Sequence, residues 1–452
     1  MNNSLFIKNI KQIITCDAND TVFSNVNMLM SNGEIKYIGK ESFEADKVLD
    51  ATGMVMYPGL VNTHHHLYQI FTRNLPQVQN LELFDWLITL YEIWKNLDSE
   101  VVYYTSLAGM GELLKNGCTT CFDHHYVFPK GQNNLIETQF EAADMLGIRM
   151  HASRGSMSLS KKDGGLPPDS VVQTTDEILA DSQRLIEKFH DSSKFSKRQV
   201  ALAPCSPFSV TQDLMIQSAK LARDYGVRLH THLAETRDED DYLIKNHGIR
   251  PLEFMEKLGW IGSDVWFAHG IHFNESELKT LAATGTGVAH CPISNMKLSS
   301  GIAKIPKMLE LGVPVGLAVD GSASNDGSNL LEEIRVAYLL HRLNSSKEAP
   351  TGYDILKIAT KGGARILGRD DIGILSEGYA ADAFLVDSNR IELIGTEEDY
   401  RSVFGTVGLK GPVDFTIVGG QVVVEKGKLK TLDEEELAAK ANLKFREFYL
   451  QS

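Results

Sequence analysis

Between residues 58 and 370 the chain alternates short, β-branched apolar runs with stretches of helical length, and this alternation limits the fold more than any other feature. Eight runs read as strands, around 58–64, 118–123, 147–153, 199–204, 226–233, 264–269, 286–291 and 313–319. Helical stretches lie between them, among them Val101–Asn116, Leu135–Leu146, Ile178–Phe189, Leu214–Tyr225 and Leu330–Leu343. Strands joined by helical crossovers pair in parallel, which predicts an α/β chain. Eight such units over about 300 residues fit a closed (β/α)8 TIM barrel, with an open doubly wound sheet as the alternative. The polar residues separate the two, because barrels gather their chemistry at the C-terminal ends of the strands. The histidines and acids of this sequence fall there.

The two ends of the chain have another texture. Leu5-Phe6-Ile7, Gln12–Thr15 and Glu34–Ile38 are β-rich and are broken by turn residues such as Asn32-Gly33. Similar runs return at Ala383–Val386, Phe415–Val418 and Gln421–Val424. Both ends together predict one small β-sandwich. The expected division is 1–57 and 371–430 for the two parts of the sandwich, 58–370 for the barrel and 431–452 for a surface helix. The polar stretch Ser156–Thr175 reads as a long loop at the barrel mouth.

Charge and cysteine content remove several classes of function. A formal net charge of -14 argues against nucleic acid or anionic membranes as partners. Five scattered cysteines do not form a disulfide framework. The first residues lack the apolar core of a signal peptide, and no run approaches the roughly 20 apolar residues of a membrane span. A cytoplasmic location is expected.

The strand ends carry the chemistry. Asn62-Thr63-His64-His65-His66 closes the first run. In an extended chain residues i and i+2 share a face, so His64 and His66 point inward and His65 does not. Two imidazoles there are half of a metal site, or else a polar turn. The fifth run ends His230-Thr231-His232-Leu233-Ala234-Glu235. His232 lies nearer the open end, His230 reads as a deeper packing residue, and Glu235 can curl back over the opening as a proton carrier. The sixth run ends at His269 and the eighth at Asp320. An unpaired carboxylate after an apolar run is costly, so Asp320 calls for a metal, a cationic partner or a loop to cap.

Jointly these positions, with Pro58-Gly59 before the first histidines and the split β-sandwich, resemble the amidohydrolase superfamily over nearly the whole chain. The resemblance implies a divalent metal held by His64, His66, His232 and Asp320, with His269 as an electrophilic histidine and Glu235 as the proton shuttle. Binuclear members carry a carboxylated lysine at the end of strand four. Here that strand reads Gln199-Val200-Ala201-Leu202-Ala203-Pro204-Cys205, so one ion is expected, zinc by default with iron(II) also compatible. The wording of PGLVNTHHHLYQ (58–69), LFDWL (83–87), LAPCSPFSV (202–210), GTGVAHCPISNMKLSSGIA (285–303) and VGLAVDGSASNDGSN (315–329) is most similar to bacterial 8-oxoguanine deaminases. Hydroxy-triazine and pterin deaminases share much of the scaffold. The activity implied is hydrolytic deamination of an aminated heteroaromatic ring, 8-oxoguanine to urate plus ammonia, with isocytosine, a pterin or a hydroxy-triazine as alternative substrates. In that scheme Asp320 accepts the proton of the attacking water, His269 orients the water, and Glu235 protonates a ring nitrogen.

Position suggests further contacts. Gln69 can pair with a purine edge or cap a loop, Trp86 and Tyr68 can stack on a ring or fill the core, and Arg154 can bind a carbonyl oxygen or a surface acid. Cys205 reads as a wall residue, without a base to make it a nucleophile. His124, His125 and His290 read as packing or supporting residues, and Cys118 and Cys121 point to opposite faces of a strand. A homo-oligomer is expected, with the Leu-, Trp- and Tyr-rich 81–100 region as an interface. Three rivals remain: a cyclic amide hydrolase that opens a ring, a metal-free scaffold, and a binding module for oxidised bases. The intact set of candidate ligands together with Glu235 disfavours the last two.

Overall fold

A computed structural model describes residues 4–451. One sheet carries eight parallel strands in sequential order, Leu60–Asn62, Cys118–Asp123, Arg149–Ser156, Arg198–Pro204, Leu229–Leu233, Val265–His269, Gly287–His290 and Val315–Leu317. Each overlaps one of the eight apolar runs. The first and last strands close the cylinder through few bonds. The backbone N–H and the hydroxyl of Thr63 both donate to the Leu317 carbonyl, at 3.3 and 2.9 Å. Just above, Asp320–Gly321 pairs in parallel with His65–His66. The Asn62 side chain fills the gap between these bonds by accepting from Val319 N at 2.9 Å. The closed barrel is therefore present.

Three helices start earlier than their apolar periodicity predicts, at Ser99–Lys115, Thr175–Phe189 and Gln212–Tyr225. Their first turns are polar and are fixed by side-chain caps instead. Asp98, Thr174 and Thr211 accept from the backbone N–H of Val101, Glu177 and Leu214, which satisfies donors that the helix cannot.

The two ends of the chain share one continuous mixed sheet of nine strands. Its order from one edge is Lys428–Leu429, Gln421–Glu425, Phe415–Val418, Ala383–Asp387, Met54–Pro58, Ser4–Ile14, Val22–Ser31 and Glu34–Gly39, with Lys47–Asp50 beside Ser4–Ile14. It has an apolar core of its own, including Ile7, Ile13, Met28, Met30, Met56, Leu385 and Ile417. The helix Glu434–Leu450 lies against Ser99–Lys115, tied by Lys115 to Glu434 and by Lys444 to Asp98.

The 156–175 segment leaves the C-terminal end of the third barrel strand, contains the short turns Lys161–Asp163 and Asp169–Val171, and bonds to the loop after the fourth strand through Ser158 N and Leu159 N, both donating to the Ser209 carbonyl at 3.1 Å. Most apolar residues of the 81–100 region turn inward, with Leu83, Trp86, Leu87, Leu90, Tyr91, Ile93 and Trp94 buried within the chain, while Ile88 stays exposed. Among the described residues no helix is long and apolar enough to cross a membrane.

A buried ion pair joins the sheet to the bottom of the barrel. Arg149, which opens the third barrel strand, donates from Nε and Nη2 to the two carboxylate oxygens of Asp382 at 2.5 and 2.9 Å. Asp382 also accepts from Gly419 N at 2.7 Å. Both side chains are almost wholly buried, so removing one partner strands the other charge without solvent. Arg149→Met is expected to cost about 3–5 kcal/mol, read from urea unfolding. A loss below about 1 kcal/mol would mean that the joint is held by something else.

Candidate metal centre and active site

His64 and His66 lie just beyond the first barrel strand, on the extended segment that pairs with Asp320–Gly321. The two-residue periodicity survives there. His64 and His66 face the barrel axis, whereas His65 turns away and meets the Ser328 hydroxyl at 3.0 Å. His232 comes from the fifth strand, His269 ends the sixth, and Asp320 follows the eighth.

Hydrogen bonds at Nδ1 orient the three imidazoles. His66 Nδ1 donates to the His124 carbonyl at 2.7 Å, and His232 Nδ1 donates to the Cys205 carbonyl at 2.6 Å. His64 Nδ1 lies 2.8 Å from His230 Nε2, and His230 Nδ1 lies 2.9 Å from the Trp266 carbonyl. That carbonyl can only accept, so His230 carries its proton on Nδ1, accepts at Nε2 from His64, and leaves the His64 Nε2 lone pair free. His230 is thus a supporting residue, as its depth in the strand suggests.

The three Nε2 atoms and one carboxylate oxygen then converge. Asp320 Oδ1 is 3.2 Å from both His64 Nε2 and His66 Nε2, and His66 Nε2 is 3.1 Å from His232 Nε2. His64 Nε2 is buried and finds no protein donor. Lone pairs this close repel unless a cation lies among them. A tetrahedral ion with ligands about 2.0–2.1 Å away sets neighbouring donors about 3.3 Å apart, close to the spacing here. Two overlapping groups meet the geometry of a metal site, His64, His66, His124 and His232 on one side and His64, His232, His269 and Asp320 on the other. The donor set fits a divalent metal ion. His124, read from sequence as a packing residue, thus stands close enough to count among the donors.

Electrostatics favour the ligating forms. Burial pushes the His64 imidazole well below its usual range and the His232 imidazole down to about 3, so both are neutral. Burial alone raises the Asp320 carboxyl, and its close contacts with the His64 and His66 imidazoles override it and hold the group well below the usual carboxylate range. Burial pushes the Glu235 carboxyl up, with His269 pulling the other way. Glu235 Oε2 lies 3.4 Å from His269 Nε2.

A cavity opens directly above this cluster. His66, His232, Glu235, His269 and Asp320 form its floor, and Leu83, Leu87, Phe208 and Leu298 contribute apolar walls. Gln69, Trp86 and Cys205 line it. The Gln69 amide closes against Gly321, where a Cβ would stand 1.9 Å from its Oε1, so a larger residue there would push the amide out of its place. Gln69 Nε2 and Trp86 Nε1 have no protein acceptor. Cys205 contributes its carbonyl to His232, while burial pushes its thiol up to about 12, the condition of a wall residue.

Two candidates are elsewhere. Arg154 does not line the cavity. Its guanidinium lies 3.8 Å over the Phe128 ring, Nε donates to Asp181 at 2.6 Å and Nη2 to Gln173 at 2.7 Å, which spends its donors on a structural network. Tyr68 is buried between Trp94, His125 and Tyr126 rather than at the cavity wall. His125 donates to the Val127 carbonyl and His290 pairs with His341, both away from the cluster. Cys118 and Cys121 stay free. Sequence reasoning passed over Tyr126, Ser206, Phe208, Leu298 and Ser324, which also line the cavity. Tyr126, Ser206 and Phe208 share a place just past the end of a barrel strand, whereas Leu298 follows the helix Pro292–Lys297 and Ser324 lies in the short helix Ser322–Asn325.

Comparison with known proteins agrees with this geometry. The profile described as the amidohydrolase family matches residues 55–423. An 8-oxoguanine deaminase of Pseudomonas aeruginosa is 46% identical over 86% of this chain and 87% of its own length. A hydroxydechloroatrazine ethylaminohydrolase of Pseudomonas sp. (strain ADP) is 43% identical over 96% and 94%. Among solved structures, an atrazine chlorohydrolase from Arthrobacter aurescens, complexed with zinc, superposes with a TM-score of 0.94 at 31% identity, covering 98% of this chain and 100% of that one. With a family profile over most of its length and relatives of this closeness, the chain belongs to the amidohydrolase family and is, with it, a hydrolase.

Proposed function

We propose that this protein is a metal-dependent aminohydrolase of planar, nitrogen-rich heteroaromatic rings, with 8-oxoguanine, converted to urate and ammonia, as its substrate. The observation that carries the reading is the convergence of His64, His66, His232 and Asp320 under a cavity floored by Glu235 and His269. Those four residues would hold the ion, and zinc suits three imidazoles and one carboxylate. When bound, such an ion supplies Lewis acidity and makes water a competent nucleophile near neutral pH.

The chain's own groups handle the protons. Asp320 presents Oδ1 to the imidazoles, while Oδ2 faces the cavity side, 3.9 Å from His269 Nε2, where it can take a proton from the attacking water. Glu235, whose carboxyl is raised by burial, can take up a proton and place it on a ring nitrogen beside the amino-bearing carbon. The water oxygen adds to the amino-bearing carbon to give a tetrahedral adduct, the proton taken by Asp320 passes to the amino nitrogen, and the C–N bond then breaks to release ammonia and leave a ring carbonyl. Gln69 Nε2 and Trp86 Nε1 offer two donors to acceptor atoms of the ring. Leu83, Leu87, Phe208 and Leu298 cover apolar ring faces and keep out bulk water.

A second substrate reading has specific support. The ethylaminohydrolase relative aligns over more of this chain than the 8-oxoguanine deaminase does. A hydroxy-triazine bearing an alkylamino group needs the same proton traffic and differs only in ring and leaving group.

Four outcomes follow. Ammonia release from 8-oxoguanine should exceed that from guanine, adenine, cytosine, isoxanthopterin and isocytosine, and ethylamine release from an ethylamino-hydroxytriazine should be slower still. Faster turnover of the triazine would transfer the assignment to it. Chelator treatment should abolish turnover and stoichiometric zinc should restore it, with metal content following activity; full activity of a metal-stripped sample would end the metal-dependent reading. Glu235→Gln should lower kcat by roughly 10²–10⁴-fold while keeping the bound metal. Asp320→Asn should abolish turnover with the fold unchanged by circular dichroism, and retained turnover would remove Asp320 from its assigned role.

A further inference from the structure

The cavity's three proton-handling side chains come from the ends of three different strands, yet one short stretch of chain touches all of them. The helix Pro292–Lys297 begins immediately after the seventh barrel strand, with proline in its first turn. Ser294 donates to Asp320 Oδ2 at 2.6 Å. Asn295 Oδ1 lies 2.9 Å from His269 Nδ1. Ser300, three residues past the end of the helix, donates to Glu235 Oε1 at 3.3 Å.

Topology explains why this stretch can do so. The seventh strand lies between the sixth and the eighth in the sheet, so a helix capping it is flanked by His269 on one side and Asp320 on the other. Neighbouring helical residues project about 100° apart, which sends Ser294 and Asn295 to different neighbours. The chain then folds back, with Ser300 N donating to Asn295 O at 2.9 Å, and reaches the end of the fifth strand. The stretch is itself braced by Ile293 N donating to Glu333 at 3.1 Å and by Lys297 donating to the Ala323 carbonyl at 3.0 Å.

The groups it touches need holding. His269 and Asp320 have φ of +72° and +61°, and Ala234, just before Glu235, has +54°. Left-handed backbone at non-glycine residues persists only where the surroundings over-determine it. For His269 the contact also selects a ring orientation. The Asn295 carbonyl oxygen can only accept, so it takes the Nδ1 proton and turns Nε2 toward Glu235 Oε2 and Asp320 Oδ2, at 3.4 and 3.9 Å.

We propose that the segment Pro292–Ser300 is a single positioning device for Asp320, His269 and Glu235, and that Asn295 is the residue that fixes which ring nitrogen His269 presents to the cavity. The proposal rests on the reading of this cavity as a hydrolytic deaminase site, and it makes Asn295 a positioning residue that never touches the substrate.

The test compares Asn295→Leu, which keeps the volume and removes the acceptor, with Asn295→Asp, which keeps the acceptor. Ring ¹⁵N spectra of the metal-loaded proteins, with the His269 signals identified by their loss in His269→Gln, should show Nδ1 protonated in the native protein and in Asn295→Asp. In Asn295→Leu the proton should be distributed over both nitrogens. The kcat for ammonia release should fall about 10²-fold in Asn295→Leu, with KM within about threefold and with bound metal and Tm unchanged, and Asn295→Asp should recover most of the loss. Native ring spectra and native kcat in Asn295→Leu would overturn the proposal. So would a loss of metal and Tm that Asn295→Asp fails to restore, since that pattern belongs to a merely structural residue. If the native protein released no ammonia from any ring, the proposed function would fail while the ring spectra still decided the orientation of His269.

Discussion

Three imidazole lone pairs and a carboxylate oxygen cannot share a dry pocket at 3.1–3.2 Å without a positive charge among them, and much of this molecule exists to enforce that arrangement. Each imidazole is fixed by what lies behind it. The His124 and Cys205 carbonyls take the Nδ1 protons of His66 and His232, and His230 takes that of His64 and passes its own to the Trp266 carbonyl. Carbonyls cannot donate, so every one of these bonds points a lone pair at the centre. The deep burial that makes charged imidazole unfavourable then keeps the ligands neutral.

The same centre stores backbone strain. Ala234, His269 and Asp320 all adopt left-handed φ at the ends of the fifth, sixth and eighth strands. Each such residue costs of order 1–3 kcal/mol, and closed barrel walls on either side prevent relaxation. The gain is geometric. A strand that turns sharply at its last residue can aim one side chain at the axis while the next leaves for the loop, which is how Glu235 reaches the cavity one residue after Ala234. The closing bonds between Thr63 and Leu317 and between Asp320–Gly321 and His65–His66 hold the last of these turns in register with the first histidines.

The opposite end of the barrel has a different task. There the buried Arg149–Asp382 pair and the nine-stranded sheet from both termini fasten the first and last parts of the chain to the barrel floor. The candidate metal site and the bonds that close the cylinder share one face, and the fastening of the two chain ends lies at the other. Loops and short helices at the first face can vary in wall residues such as Leu83, Leu87, Phe208 and Leu298 without disturbing the second. Relatives that act on a purine and on triazines while keeping this fold are consistent with that separation.

Much of this was legible in the order of residues. Periodicity is local, so eight apolar runs located eight strands, and the i, i+2 rule put His64 and His66 on one face even though the pairing there is not the barrel ladder expected. Helix starts were misplaced by two or three residues because caps, not apolar side chains, set them. The fate of Arg154 and Tyr68 was not legible, because a guanidinium or a phenol next to a strand end can turn either way, and the choice depends on Asp181, Phe128 and Trp94, which are distant in the chain or on another element. The reach of Ser294, Asn295 and Ser300 to three separate strand ends was hidden for the same reason. Sequence alone determined which residue types stand at which strand ends, since that follows from spacing along the backbone. Only the tertiary structure decided which atom of each side chain faces the axis, because hydrogen-bond partners are chosen by closure of the barrel, which brings together residues that spacing cannot relate.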